Sequence, residues 1–188
     1  MSKTENKVEM TSKKRCVFFT GTVDEDSSKN FINSILKLEL EDPLRDILVI
    51  LDSYGGYVDS MWSMVDVMNL CRCKVHTLCV GKSMSAASLM LMNGAKGKRY
   101  CTPNSRIMIH KISSSNWGDF DDLDTHMKEI TRMEEQLEDF IVSKTKFTKK
   151  LLLEALSSDF YLNAEQAKQK GVIDRIITSF SDLKLQGW

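Results

Sequence analysis

The sequence predicts an α/β fold, and three observations carry that expectation. Ile47-Leu48-Val49-Ile50-Leu51 is an unbroken apolar run, the kind a strand needs when both faces of a parallel sheet are covered. Behind it, Met61, Met64, Val65 and Met68 recur at helical spacing, and residues 75–80 return to a buried strand, completing a β-α-β unit. Strands and helices go on alternating to residue 110, the order that builds an α/β layer.

Each element has its own warrant. Residues 1–14 are polar, with Lys3, Lys7, Lys13 and Lys14 and few large apolar groups, and are expected as a mobile arm ahead of a single domain over 15–188. Val17-Phe18-Phe19-Thr20 reads as a strand closed by a turn at Gly21. Phe31, Ile32, Ile35, Leu36 and Leu38 share one face of a helix for which Asp26, Ser27 and Ser28 offer N-caps and Pro43 the stop. The strand from Ile47 breaks at Gly55-Gly56, and a helix is expected over 59–70. After the strand at 75–80, Ser85 opens a short helix to Met92, and 106–110 is a strand that follows the Pro103-Asn104-Ser105 turn. Residues 121–146 hold no Gly or Pro and are rich in helix formers. There Leu123, Met127, Ile130, Met133, Leu137, Phe140 and Ile141 form a stripe opposite Asp124, Lys128, Glu135 and Glu138, which defines a long amphipathic helix. Its stripe can be covered by the domain's own sheet or, if the helix projects, by a second copy of the chain.

Bulk properties exclude several function classes. The 188 residues suit one domain. Lys plus Arg balances Asp plus Glu at 26 each, so there is no global field to draw in nucleic acid or an anionic membrane, and neither is an expected partner. No run approaches the roughly eighteen apolar residues of a membrane span. The start, Met1-Ser2-Lys3-Thr4-Glu5-Asn6-Lys7, has no apolar signal region, so a cytoplasmic location is expected. Five cysteines are an odd number and are read as reduced thiols. Cys71-Arg72-Cys73 lacks the second pair, or the histidines, of a structural zinc site; no metal is expected, and the pair reads as partly buried small apolar groups.

Three features point to acyl chemistry: a doubled glycine after a buried strand, serines at a strand-to-helix turn, and a histidine at a strand end. A serine nucleophile needs a base, a group to fix that base, and donors for the oxyanion, which backbone N–H groups beside glycines or at a helix start supply. Gly81-Lys82-Ser83-Met84-Ser85-Ala86-Ala87-Ser88 offers Ser83, Ser85 and Ser88, and spacing does not choose among them. Among three histidines, His110 ends a strand, His76 lies within an apolar strand, and His126 sits on the long helix. With 26 carboxylates, the acidic partner has no signal of its own.

Over about 15–177 the chain resembles the proteolytic subunit of the Clp protease family. The resemblance is carried by Phe19-Thr20-Gly21-Thr22-Val23, Gly55-Gly56-Tyr57-Val58, Gly94-Ala95-Lys96-Gly97-Lys98-Arg99, Pro103-Asn104-Ser105-Arg106-Ile107-Met108-Ile109-His110 and Tyr161-Leu162-Asn163-Ala164-Glu165-Gln166-Ala167. It implies a catalytic triad of Ser85, His110 and Asp159 and an oxyanion hole at the backbone N–H groups of Gly56 and Ala86. The implied fold is the ClpP/crotonase type, a β-β-α superhelix, with residues 121–146 as its handle helix. The implied assembly is a homo-oligomer, a tetradecamer of two stacked heptameric rings enclosing a chamber for unfolded proteins and short peptides. A hexameric AAA+ unfoldase is the implied partner. No cofactor is expected in this subunit, ATP being used only by that unfoldase.

The chain also departs from the family pattern. Residues 1–14 are shorter and more polar than the family's N-terminal segment, which supplies axial loops and docking surface. Lys111-Ile112-Ser113-Ser114-Ser115 stands where the family has Gln-Pro and paired glycines in its substrate-pairing strand. Tyr54 replaces a common proline, and Ala86 a common methionine whose main chain alone is required. Two other readings share the fold: a non-catalytic ring subunit, and a crotonase-like acyl-CoA enzyme that needs no Ser-His-Asp set.

Overall fold

The structure, a computed structural model, describes residues 9–11, 15–113, 120–183 and 185, with backbone alone at 9–11 and 120–123. Its centre is three parallel strands, β2 (Cys16–Val23), β3 (Ile47–Gly56) and β4 (Val75–Met84). Helices α1 (Glu25–Glu41) and α2 (Val58–Leu70) are the crossovers between them. Ile47, Leu48, Val49 and Leu51 are wholly buried, as the apolar run of β3 requires of a strand inside a parallel sheet.

Strand β2 runs on through Gly21, where a turn was expected. Gly21 adopts φ 92° and the register slips between Thr20 and Thr22, so the glycine bends the strand without ending it. The N-cap of α1 is Asp24, not Asp26, Ser27 or Ser28. Asp24 accepts from the Ser27 N–H at 2.8 Å while its own N–H donates to Ser27 Oγ at 2.9 Å, a reciprocal capping box. At the other end of α1, the buried Arg15 donates to the carbonyls of Leu38, Asp42, Arg45 and Asp46 and satisfies acceptors left over where the helix stops. Part of the expected N-terminal arm is a strand: β1 (Glu9–Thr11) pairs antiparallel with Phe18, Val17 and Cys16.

Strand β4 divides the architecture. Its first half, Thr77–Cys79, pairs with β5 (Arg99–Cys101), while its second half, Lys82–Met84, pairs with β6 (Arg106–Ile109). Gly81, at φ 80°, lies between the two partners. Strand β5 continues the sheet to β8 (Arg175–Ile176), and β6 turns away to pair antiparallel with β7 (Phe160–Leu162). Helix α3 (Ala86–Met92) follows β4 directly and is buried throughout.

The long amphipathic helix is α4 (Phe120–Lys144). Among the described residues of its stripe, burial on the domain is greatest at the C-terminal end. Ile141 is buried, and Leu137 and Phe140 pack half-buried against the core, Phe140 edge-on to Trp62 with ring centres 5.3 Å apart. Met127, two turns into the helix, is exposed. Helices α5 (Lys149–Ala155) and α6 (Ala164–Gln169) complete the fold. Thr148 caps α5, and Asn163 forms a capping box with Gln166 on α6. None of the five cysteines forms a disulfide. Among the described residues, no helix is long and apolar enough to cross a membrane.

Candidate active site

The fork of β4 assembles the site. Met84, the last residue of β4, lies opposite Met108 of β6, so Ser85 after one strand and His110 after the other leave the sheet side by side. The Ser85 N–H donates to the Met108 carbonyl at 2.9 Å and locks that arrangement. Because β6 and β7 are antiparallel with Ile109 opposite Phe160, the next rung sets His110 beside Asp159.

Ser85 has φ 52° and ψ −128°, and it is the one non-glycine residue with positive φ among the described residues. Such a conformation costs on the order of 1–3 kcal/mol and is held only where the surroundings enforce it. Here it turns the chain sharply from strand into helix and presents the side chain, the geometry of a nucleophile elbow. The neighbouring serines are otherwise engaged. Ser83 Oγ is buried and donates to the Ala87 carbonyl at 2.8 Å, and Ser88 Oγ donates to the Ser85 carbonyl at 2.6 Å. Ser85 Oγ lies 2.7 Å from His110 Nε2.

Among the histidines, His76 is fully buried, bonds Asp46 Oδ2 through Nε2 at 2.8 Å and stacks on Tyr100, while His126 lies exposed on α4. Asp159 is near His110 but not bonded to it. Its Oδ1 stands 3.9 Å from His110 Nδ1 and its side chain is 57% exposed, so this arm is open. Burial pushes the Cys79 and Cys101 thiols up to about 12, leaving neither with thiolate character near neutrality.

Gly56 and Ala86 border the same pocket as Ser85 and His110. As the first residue of α3, Ala86 has an N–H with no acceptor inside its own helix. Both glycines of the pair are required sterically. A Cβ on Gly55 would fall 2.6 Å from the Met84 carbonyl oxygen, and one on Gly56 would fall 2.2 Å from that of Val23. The doubled glycine therefore lets β3 pass directly beside the Ser85 turn.

The pocket has a volume of about 260 Å³. Val58, Met61, Leu89, Leu137, Ile141 and Leu156 form apolar walls, and Glu134 and Glu138 of α4 also border it. Sequence periodicity marked Met61, Leu137 and Ile141 as helix faces, but nothing in it distinguished a pocket wall from core. Lys111, Ile112 and Ser113 border the pocket. Ser114 and Ser115, which stand where the family has paired glycines in its substrate-pairing strand, lie outside the described residues.

A parallel α/β sheet whose forked strand ends hold a hydrogen-bonded serine and histidine over an apolar pocket places the molecule in the class of α/β proteins with a serine–histidine site. More particularly, the chain belongs to the Clp protease family, whose model, described as Clp protease, matches residues 2–180. Membership points to peptidase chemistry, and the mixed α/β architecture with its parallel sheet is consistent with that family.

Proposed function

We propose that the chain is a serine endopeptidase that cleaves unfolded proteins and short peptides inside a self-compartmentalised ring. The observation that carries this reading is the 2.7 Å approach of His110 Nε2 to Ser85 Oγ at a strained strand-to-helix turn. In the proposed cycle, His110 takes the hydroxyl proton as Ser85 Oγ attacks the scissile carbonyl carbon. The N–H groups of Gly56 and Ala86 stabilise the resulting oxyanion. His110 then protonates the departing amine, and water releases the acyl group by the reverse sequence. Asp159 orients the imidazole once its carboxylate closes from 3.9 Å to a hydrogen bond, a tightening that substrate or assembly supplies. The apolar pocket suits an apolar side chain at the residue that donates the scissile carbonyl.

The assembly belongs to the same proposal: two stacked heptameric rings in the cytosol, with α4 of each ring meeting the other, fed by a hexameric AAA+ unfoldase. The apolar stripe of α4 supports it, since Ile141 is buried on the domain while Met127 is exposed to solvent. One observation favours a second reading, a non-catalytic ring subunit: the Asp159 arm is open. Covalent labelling by a fluorophosphonate or a β-lactone separates the two. Labelling of wild type that is lost in Ser85→Ala is expected, and an assembled ring that takes up no label overturns the catalytic reading.

A further inference from the structure

The two cysteines set aside as small apolar groups converge on a third residue from a different helix. Glu39 lies in the last turns of α1, Cys71 caps the end of α2, and Cys73 sits in the connection to β4. The two sulfur atoms and a Glu39 carboxylate oxygen all lie within 4.8 Å of one another. Glu39 is only 9% exposed. Its Oε1 accepts from the Arg72 N–H at 3.3 Å and from Arg72 Nε at 2.7 Å, whereas Oε2 meets no N–H or O–H donor and the carboxylate's other neighbour is the Cys73 thiol, a weak donor. A buried carboxylate oxygen served by no more than a weak thiol donor is better satisfied by a cation.

We propose that Glu39, Cys71 and Cys73 form a binding site for a thiophilic divalent cation of the zinc class, which ties the end of α1 to the connection between α2 and β4. Two thiolates and a carboxylate are a zinc donor set, and the sulfur ligands disfavour magnesium and calcium. A tetrahedral ion would hold such donors roughly 3.5–3.8 Å from one another, a short contraction from separations that are already no more than 4.8 Å. Cys71 now donates its thiol proton to the Val67 carbonyl at 3.3 Å, and that proton and the Cys73 thiol proton are both released to solvent when the metal binds. With both thiols ionised, the carboxylate, Arg72 and a divalent ion make the cluster neutral overall. Arg72 is largely exposed and Cys71 half-buried, so an ion has a route in and water can fill the fourth position. The site lies before the start of β4, whereas Ser85 follows its end, so the metal's role is structural and independent of the peptidase reading.

The test uses the full chain, purified under reductant, stripped with a chelator and titrated with Co²⁺ and then Zn²⁺. Expected are a sulfur-to-cobalt charge-transfer band that saturates at one ion per chain, its loss on adding Zn²⁺, and a Zn²⁺-dependent rise in Tm. Cys71→Ser and Cys73→Ser lose the band and the Tm rise, Glu39→Gln shifts the titration midpoint to weaker binding, and Ser85→Ala behaves as wild type. Because Cys73 is buried and its variant can fail to fold, Cys71→Ser carries the decision, provided its Tm in chelator matches that of stripped wild type. Absence of the band in wild type, its persistence in Cys71→Ser, or a Cys71–Cys73 disulfide forming in air despite saturating Zn²⁺ each overturns the site.

Discussion

At the scale of single residues, the site depends on backbone positions that only particular side chains tolerate. Gly56 adopts φ 154°, and an added Cβ there would also meet the Val23 nitrogen at 2.8 Å, so main chain has to move to accept it. Gly56→Ala is expected to lower stability by about 1–3 kcal/mol and to abolish fluorophosphonate labelling, because the displaced N–H is the proposed oxyanion donor. Thermal denaturation and labelling read the two effects separately. Asp159 tests a different link. If it fixes the imidazole only after closing on His110, Asp159→Asn is expected to lower kcat by roughly 10²–10⁴-fold while leaving the fold and the solution mass of the protein unchanged. Peptide hydrolysis alongside mass measurement in solution checks this, and an unchanged kcat would remove Asp159 from the mechanism.

At the scale of elements, α4 and the edge of the sheet each make a distinct demand. The apolar stripe of α4 is buried on the domain at Ile141 but open at Met127. Placing charge there, as in a Met127→Glu, Ile130→Glu double variant, is expected to leave the fold intact and to dissociate the proposed double ring to single rings or smaller, read by light scattering. At the sheet edge, Asp174 joins β8 to β5 through Arg99, with Arg99 Nη2, Nε and N–H donating to its carboxylate at 2.7, 3.0 and 2.9 Å. Arg99 Nη1 also donates to the carbonyl of Lys144 at the end of α4. Burial pushes the Asp174 carboxyl up, but the Arg99 contacts outweigh it and hold it below the usual carboxylate range. A depressed folded value means the stabilisation is fully present above the unfolded value of about 3.9 and is lost as pH falls through the folded one. Asp174→Asn is therefore expected to cost about 3 kcal/mol at neutral pH, with the gap to wild type closing below pH of about 4, as denaturant titrations would show.

At the scale of the whole molecule, acid sensitivity above the carboxylate range centres on His76. Burial lowers its pKa, opposed by the bond to Asp46, and the net direction is down. The folded state then binds fewer protons than the unfolded one below about pH 6.5, so stability falls as pH drops from there towards the folded value. His76→Gln is expected to flatten the stability profile between about pH 7 and 5 while wild type declines across it. A wild-type profile that is already flat in that window would contradict this account.

The sequence alone was enough for the α/β class, because a buried parallel strand and an amphipathic helix leave periodic signatures within a few residues. It also nominated Ser85 and His110, since a serine at a strand-to-helix turn and a histidine at a strand end are local features. Spacing left the choice among the three serines open, family resemblance implied Ser85, and the tertiary structure supplies the physical reason that Ser85 faces His110. The register of β4 against β6 and the positive φ at Ser85 turn that side chain outward, while Ser83 and Ser88 bond to main chain. Asp159 came from family resemblance, because β7 is three residues long and its antiparallel pairing with β6 leaves no periodic trace. The Arg15 cap, the His76–Asp46 pair and the meeting of Glu39 with Cys71 and Cys73 were invisible for the same physical reason. Their partners lie about thirty residues apart in the chain, and only the packing of helices on the parallel sheet brings them together.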